Sequence, residues 1–264
     1  MEIVVQKLSY KDFSNLNFII PDGKITGITG KGKTTILKLL NGLVQGKGTI
    51  KYNNKRITIK TKLSITKRVI YIDSTFKNQF LASTVIEHMI SFMRYYKLNI
   101  KDPQKKLEDS LKIVGLSNAY LTRNITTLSA SEKKQLQIAT ALLTNPELLL
   151  LDEPFISLDN KNEKKLVRLL GQLNDRFHIN IVIASNNSEI LYKYTNKMIL
   201  IKDYKILKEG FTKDIYEDVQ FMIDNDFEIP DIVLFAYKAK TMKEAKINYH
   251  RDLRDLIKDI YKHV

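Results

Sequence analysis

One run, Gly27-Ile28-Thr29-Gly30-Lys31-Gly32-Lys33-Thr34, restricts the possible folds more than any other part of the chain. It fits the pattern G-x-x-x-x-G-K-[ST], in which backbone N–H groups of a glycine-rich turn close around phosphate oxygens. Such a turn needs a strand before it and a helix after it. Lys24-Ile25-Thr26, behind the turn Pro21-Asp22-Gly23, supplies the strand, and Thr35-Ile36-Leu37-Lys38-Leu39-Leu40 supplies a helix that stops at Asn41-Gly42. A chance glycine-rich turn is a poor account, because the chain has 10 glycines and three fall here. On this reading Lys33 reaches the β- and γ-phosphates and Thr34 places its hydroxyl on Mg²⁺. Gly27, Thr29, Gly30, Lys31, Gly32 and Thr35 complete the expected nucleotide contacts, with the helix's positive end aimed at the anion.

A second feature matches the first. Leu148-Leu149-Leu150-Leu151-Asp152-Glu153-Pro154 reads as a buried strand ending in two carboxylates, and side chains at such an end emerge beside a phosphate loop in a parallel sheet. Asp152 suits Mg²⁺, and Glu153 suits the base that polarises an attacking water. An isolated Asp-Glu is ordinarily a solvated strand end. The phosphate loop in the same chain makes that the lesser reading.

Between the two motifs, from about 84 to 143, apolar residues recur at three and four positions, which predicts an inserted helical subdomain. The run Ile179 to Ala184 reads as a further buried strand, preceded by a helix from about Lys161 to Leu173, and the pattern turns helical again after Gly210. The expected division is 1–212 for an α/β nucleotide-binding domain and 213–264 for a small C-terminal helical domain. With 44% hydrophobic and 27% charged residues the chain is globular. It has no cysteine, which excludes disulfides and thiolate metal sites. No apolar run approaches the ~20 residues that cross a bilayer, so any membrane role is expected to be peripheral. Its 43 Lys+Arg against 29 Asp+Glu give +14, a charge that draws nucleic acid, nucleotide or an anionic membrane face without choosing among them. Lys60 to Lys67 and Lys101 to Lys106 read as solvated lysine-rich surface.

Leu128-Ser129-Ala130-Ser131-Glu132 lies between the motifs and opens a predicted helix. Its composition alone is that of a capped helix start, Ser129 followed three residues later by Glu132. Its placement before Asp152, however, resembles the signature of ABC ATPases, which reads Leu-Ser-Gly-Gly-Gln, and the chain resembles that family from Val4 to Gly210. The resemblance implies the P-loop NTPase fold with its helical insertion, ATP with Mg²⁺, and a head-to-tail dimer. In that dimer Ser129 meets the γ-phosphate held by a second ABC ATPase subunit. It also implies that Tyr10 stacks on adenine and that Ser157-Leu158-Asp159 meets the partner.

A narrower likeness rests on Leu39-Leu40-Asn41-Gly42-Leu43, on Asn78-Gln79-Phe80 followed by Thr84-Val85, and on the tail from Lys213-Asp214-Ile215-Tyr216 through Phe227-Glu228-Ile229-Pro230. These are similar to the ATPases of energy-coupling factor transporters. That resemblance implies a transmembrane scaffold subunit, a substrate-binding membrane subunit and a place at the cytoplasmic face of the membrane. A soluble ABC ATPase acting on nucleic acid or ribosomes is the alternative. Such proteins carry two ATPase halves, and the single phosphate loop here favours transport, with no nucleic acid expected. A regulatory ATP-binding subunit with little hydrolysis is a third reading.

Three positions depart from the family. Ser74 stands where a glutamine contacts Mg²⁺ and the attacking water, and Asn186, after Ser185, stands where a histidine contacts the γ-phosphate. Ala130-Ser131-Glu132 replaces Gly-Gly-Gln. An amide carries neither proton nor charge, and Glu132 adds a negative charge near a triphosphate. His178, ahead of the last buried strand, reads as a surface or core residue. These departures imply retained nucleotide binding with weakened turnover.

Overall fold

The computed structural model describes all residues except 57–61, 77–78, 244–246 and 264. Asn78, one of the residues carrying the narrower likeness, and Lys60 of the lysine run lie outside the described residues. The chain opens with a hairpin of β1 (Ile3–Tyr10) and β2 (Phe13–Ile20), paired antiparallel from Ile3↔Ile20 to Tyr10↔Phe13. β3 (Ile25–Gly30) follows the Gly23 turn and leads into α1 (Lys33–Asn41), which ends on Gly42 at φ 80, a conformation that only glycine adopts at little cost. β4 (Lys47–Tyr52) and β5 (Lys55–Arg56) return to the first sheet, giving the order β2-β1-β4-β5.

After α2 (Lys62–Arg68) and β6 (Val69–Ile72) comes the helical insertion, with α3 (Val85–Tyr95), α4 (Pro103–Ile113) and α5 (Ala130–Leu142). Both α3 and α5 start in capping boxes, Thr84 with Glu87 and Ser129 with Glu132. The sheet resumes with β7 (Leu148–Asp152), α6 (Asn160–Phe177), β8 (Asn180–Ala184), α7 (Ser188–Tyr194), β9 (Lys197–Lys202) and β10 (Lys205–Phe211). The second sheet has the order β10-β9-β3-β8-β7-β6, with β10 antiparallel and the rest parallel.

Every residue of β7 is buried, because a central parallel strand is covered on both faces. The two-residue period sends its leucines alternately to two clusters. Leu148 and Leu150 pack with Ile28, Leu37 and the N-terminal hairpin, while Leu149 and Leu151 pack with the insertion and α6. Each buried leucine contributes roughly 1.5–3 kcal/mol relative to exposure. The tail continues as α8 (Thr212–Glu217), α9 (Val219–Asp224), α10 (Asp231–Lys243) and α11 (Leu253–His263). Ile215, Tyr216, Met222 and Val233 of this tail join the same cluster as Leu149. The first part of the tail is therefore packed onto the α/β body and shares its core. Among the described residues no helix is long and apolar enough to cross a membrane.

Candidate functional site

The parallel strands end on one side of the sheet, so the segments after β3, β6, β7 and β8 converge there. They bring Lys33 and Thr34, Asp73 and Ser74, Asp152 and Glu153, and Ser185 and Asn186 to that edge. A cleft of about 680 Å³ opens beside it, lined by Thr29 to Thr34, by Asn186 and by a group that includes Asp203, Asp226 and Glu228; Asp152 and Glu153 are not part of its lining and meet it through Thr34 and Lys33.

The loop itself differs from the sequence expectation. β3 does not stop at Thr26: it runs to Gly30, pairing Ile28 with Ala184 of β8 and Gly30 with Ile201 of β9. Gly27 is a packing residue inside the strand, where an added Cβ would lie 2.3 Å from the Met198 sulfur. Thr29 is also in the strand, with its hydroxyl 3.4 Å from Asn186 Oδ1. Only Lys31 and Gly32 connect strand to helix. Gly32, at φ 97, is the N-cap of α1 and accepts from the amides of Thr35 and Ile36, so Thr35 is a residue of the first helical turn. The ring of Phe13 closes on Gly32, leaving no room for a side chain there. Phe13 stands edge-on to Tyr204 with ring centroids 5.2 Å apart, and the Lys31 ammonium lies 5.1 Å from the Tyr204 ring centre. The aromatic rings against the loop are thus Phe13 and Tyr204. Tyr10, expected to stack on adenine, sits at the hairpin tip, with Lys11 over its ring at 5.5 Å.

The acidic pair is fully built. Asp152 Oδ2 accepts from Tyr71 Oη at 3.1 Å, whereas its Oδ1 is buried with no partner. Burial raises the Asp152 pKa, and hydrogen bonds from Thr34 and Tyr71 oppose that rise. An orphaned carboxylate oxygen beside a threonine hydroxyl is the hard-oxygen donor set that Mg²⁺ takes. Among the described residues no group of three or more His, Asp or Glu could hold a metal by itself, so the remaining ligands would be nucleotide oxygens and water.

Glu153 is held from three sides. Its Oε2 accepts from Ser185 Oγ at 2.7 Å, its Oε1 accepts from the Asn186 amide at 3.2 Å, and Lys33 Nζ lies 3.2 Å from Oε1. Its backbone has φ 42, a conformation that costs a non-glycine residue about 1–3 kcal/mol and recurs at functional sites. The Glu153 amide donates to Ala184 O at 2.8 Å, which fixes the carboxylate at the end of the sheet.

Ser74 follows β6, in the segment where it was expected. Its hydroxyl donates to Asp73 Oδ1 at 3.1 Å, within its own turn. Sequence reasoning passed over Asp73, whose charge helps raise the pKa of Asp152, and over Lys134. Lys134 belongs to α5, is 2% exposed, and donates from Nζ to the Asp73 carbonyl at 3.2 Å, with the Phe76 ring centre 5.2 Å away. Burial lowers its pKa to about 8, against the opposing pull of Asp73 and Asp152. No local pattern at this helix start marks it.

Ser129 is exposed and caps α5, accepting from the Glu132 amide while its own amide donates to Glu132 Oε2 at 2.7 Å. Tyr120 Oη donates to Glu132 Oε1 at 2.6 Å. That hydrogen bond and the Ser129 amide hold the Glu132 carboxyl below its usual range. Asp159 caps α6 in the same way. His178 is an exposed helix end at φ 53.

With this geometry in place, the comparisons are specific. A family model described as ABC transporter matches residues 13–156. The energy-coupling factor transporter ATP-binding protein EcfA3 of Oenococcus oeni is 29% identical over 256 residues, which cover 94% of this chain and 88% of that protein. The structure of cbiO1 from Clostridium perfringens, described as part of the ABC transporter complex cbiONQ, aligns with a TM-score of 0.73 at 23% identity, over 88% of this chain and 97% of that one. A dimeric post-hydrolysis state of the ATP-binding cassette MJ0796, bound to ADP and Pi, aligns with a TM-score of 0.68 at 20% identity, over 80% and 99%. The two structures speak for the fold, and the family match covers more than half the sequence; the chain has the fold of an ABC ATPase cassette and belongs to the ABC transporter family.

Proposed function

We propose that the chain is the ATP-binding and ATP-hydrolysing subunit that powers an energy-coupling factor type importer of a micronutrient. It works as a dimer with a second ABC ATPase. A transmembrane scaffold subunit and a substrate-binding membrane subunit complete the assembly at the cytoplasmic face of the membrane. One observation carries the reading: Asp152 and Glu153 stand side by side at the end of β7 with Thr34 and Lys33 against them. The likeness to EcfA3 supports the transporter class, and the dimeric cassette supports the pairing.

In this reading Lys33 neutralises the β- and γ-phosphates, and Thr34 with the orphaned Asp152 oxygen holds Mg²⁺. Mg²⁺, when bound, spreads the charge that builds up on the phosphate oxygens. Glu153 orients and polarises the water, and Ser185 Oγ with the Asn186 amide keeps its carboxylate aimed at the cleft. Nucleotide binding must first release Lys33 from Glu153. Ser129, exposed on the opposite shoulder, serves the nucleotide of the partner subunit. Asn186 cannot supply a charge and Glu132 brings the wrong one, so turnover by the isolated chain is slow and rises on mixing with a partner that has a regular signature. The test is recovery of the chain from membranes with identification of what accompanies it, followed by steady-state ATPase assays of the chain alone and mixed with the accompanying ATPase. Brisk turnover alone, or recovery without any membrane subunit, sinks the proposal.

A further inference from the structure

The pattern that first marks the loop allows four residues between its first glycine and its Gly-Lys, and those residues carry the amides that cradle the α- and β-phosphates. In the folded chain the last strand residue is Gly30, and a single residue, Lys31, separates it from Gly32. The letters of the pattern are present only because Gly27 lies three positions back inside β3. Measured from the end of the strand, the loop is three residues short.

It also has little room to reshape. At Gly30 an added Cβ would stand 1.9 Å from the carbonyl oxygen of Ile201, and at Gly32 the Phe13 ring is in the way. The Lys31 side chain extends toward Tyr204. The lining of the cleft beyond the loop includes Asp203, Asp226 and Glu228, with only Asp226 offset by a described ion pair, to Lys202 at 3.2 Å. Carboxylates there do not replace lost phosphate donors.

The remaining contacts divide unevenly along a nucleotide. Lys33 would be the contact to the β- and γ-phosphates, and Thr34 with Asp152 would hold the Mg²⁺ that offsets their charge. What the shortened loop gives up is the enclosure of the α- and β-phosphates. We infer that this chain's own site distinguishes nucleotides by their terminal phosphate, holding Mg·ATP through Lys33, Thr34 and Asp152 while holding ADP weakly. It is thus a site that empties rapidly once the γ-phosphate is gone. The inference rests on the reading of the cleft as a nucleotide site and specifies which end of the nucleotide it grips.

The experiment is calorimetric titration of the purified full-length chain with ATP and with ADP, each in excess Mg²⁺. The wild-type chain is compared with a variant carrying Gly-Asn-Gly inserted between Gly30 and Lys31, which restores the four intervening residues. The wild-type chain binds ATP at least about 10-fold more tightly than ADP. The insertion raises ADP affinity by about 10-fold or more and ATP affinity by less, so the ratio narrows. The Lys33→Ala variant, with its fold verified by circular dichroism, covers the case of an insertion that does not fold, since it removes the terminal-phosphate grip and so abolishes the preference for ATP. An ATP-to-ADP ratio near unity in the wild-type chain, or a Lys33→Ala chain that keeps its preference, overturns the inference and leaves the nucleotide site standing. Failure of the wild-type chain to bind either nucleotide overturns both.

Discussion

Along the strand-end edge of the site, Tyr71 holds Asp152 and Ser185 holds Glu153, whereas along the loop edge Lys31 and Gly32 barely span the gap from β3 to α1. The first edge is a polar network of side chains on buried strands. The second is backbone wedged between Phe13 and Ile201. The contrast teaches that chemistry and enclosure are separable in this site. On the proposed reading, the groups that would hold a metal and polarise water are all present, while the arch that would retain the nucleotide is cut back. If the separation is real, substitutions on the first edge change rates and those on the second change affinity or stability.

The largest expected effect is therefore on turnover. Glu153→Gln keeps the size of the side chain and removes its basicity. In the assembled complex it should slow hydrolysis by roughly 10²- to 10⁴-fold, the contribution of a positioned general base, with nucleotide affinity changed far less. Single-turnover assays beside equilibrium binding separate the two. A loss confined to binding would move Glu153 from chemistry to enclosure and erase the contrast.

Next in size is the support of the loop. Phe13 is 3% exposed and presses its ring on Gly32, so Phe13→Ala opens a cavity beneath the loop and should cost about 3–5 kcal/mol of stability. Denaturant unfolding measures it. The same truncation leaves the hydrogen bonds of Glu153 untouched, so any folded fraction should show weakened nucleotide binding with an unchanged chemical step.

The two edges also differ in how much of them could be read from the residues. β7 was legible because five buried positions in a row, ending in two carboxylates, have few other uses. The phosphate loop was found but set in the wrong frame. Ile25-Thr26-Gly27-Ile28-Thr29-Gly30 repeats one triplet, and the pattern is met only from the first glycine, whereas the strand ends on the second. A strand of only Lys24-Ile25-Thr26 is too short to cross a sheet whose neighbours have five or six residues, and that shortness was the available warning. The role of Tyr10 rests on a family position and not on its surroundings, and the residue sits at the hairpin tip beside the tight turn at Lys11, φ 51. β9 offers a short apolar run, Met198 to Ile201 between two lysines, and β10 places Lys205, Lys208 and Glu209 among few apolar residues, so neither carries a strand signal as long as that of β7. Lys134 went unread because burial of a lysine is decided by tertiary packing, which no local pattern reports.

Lys134 gives a third, smaller test, on the strand-end edge. The unfolded chain keeps its proton up to the ordinary lysine value of 10.5, whereas the folded chain releases it near pH 8. Between those values the unfolded state binds more protons, so stability rises with pH across the window. Lys134→Met has no such group. The wild-type chain should gain up to about 3 kcal/mol on the variant between pH 8 and 10.5, read as the difference between their unfolding curves. Taking the difference cancels the buried tyrosines Tyr52 and Tyr71, whose raised pKa values act in the opposite direction at high pH. Parallel curves would mean that Lys134 does not titrate within the fold and that its ammonium is better satisfied than one carbonyl bond indicates.

The smallest effect is expected at Glu132, on the shoulder proposed to face the partner. Its carboxylate is held below the usual range by Tyr120 and the Ser129 amide, so it is fully charged at neutral pH and stands one turn from the serine that, in the proposed dimer, meets the neighbour's γ-phosphate. Glu132→Gln restores the family residue. A glutamine oxygen still accepts from the Ser129 amide, as in other capping boxes, and Ser129 still accepts from the backbone amide three residues on, so the change in stability should stay within about 1 kcal/mol. What changes is one negative charge near a triphosphate. That repulsion is exposed and screened, worth some tenths of a kcal/mol to about 1 kcal/mol, and its removal should speed ATP turnover at the partner's site by a few-fold, more at low salt than at high. The assay is the complex of this chain with its partner, carrying Glu153→Gln here so that only the partner's site turns over, measured with and without Glu132→Gln at two ionic strengths. An unchanged rate at low salt would mean that Glu132 does not face nucleotide, and that the enclosure missing from this chain's loop is not mirrored by a repulsive signature on its shoulder.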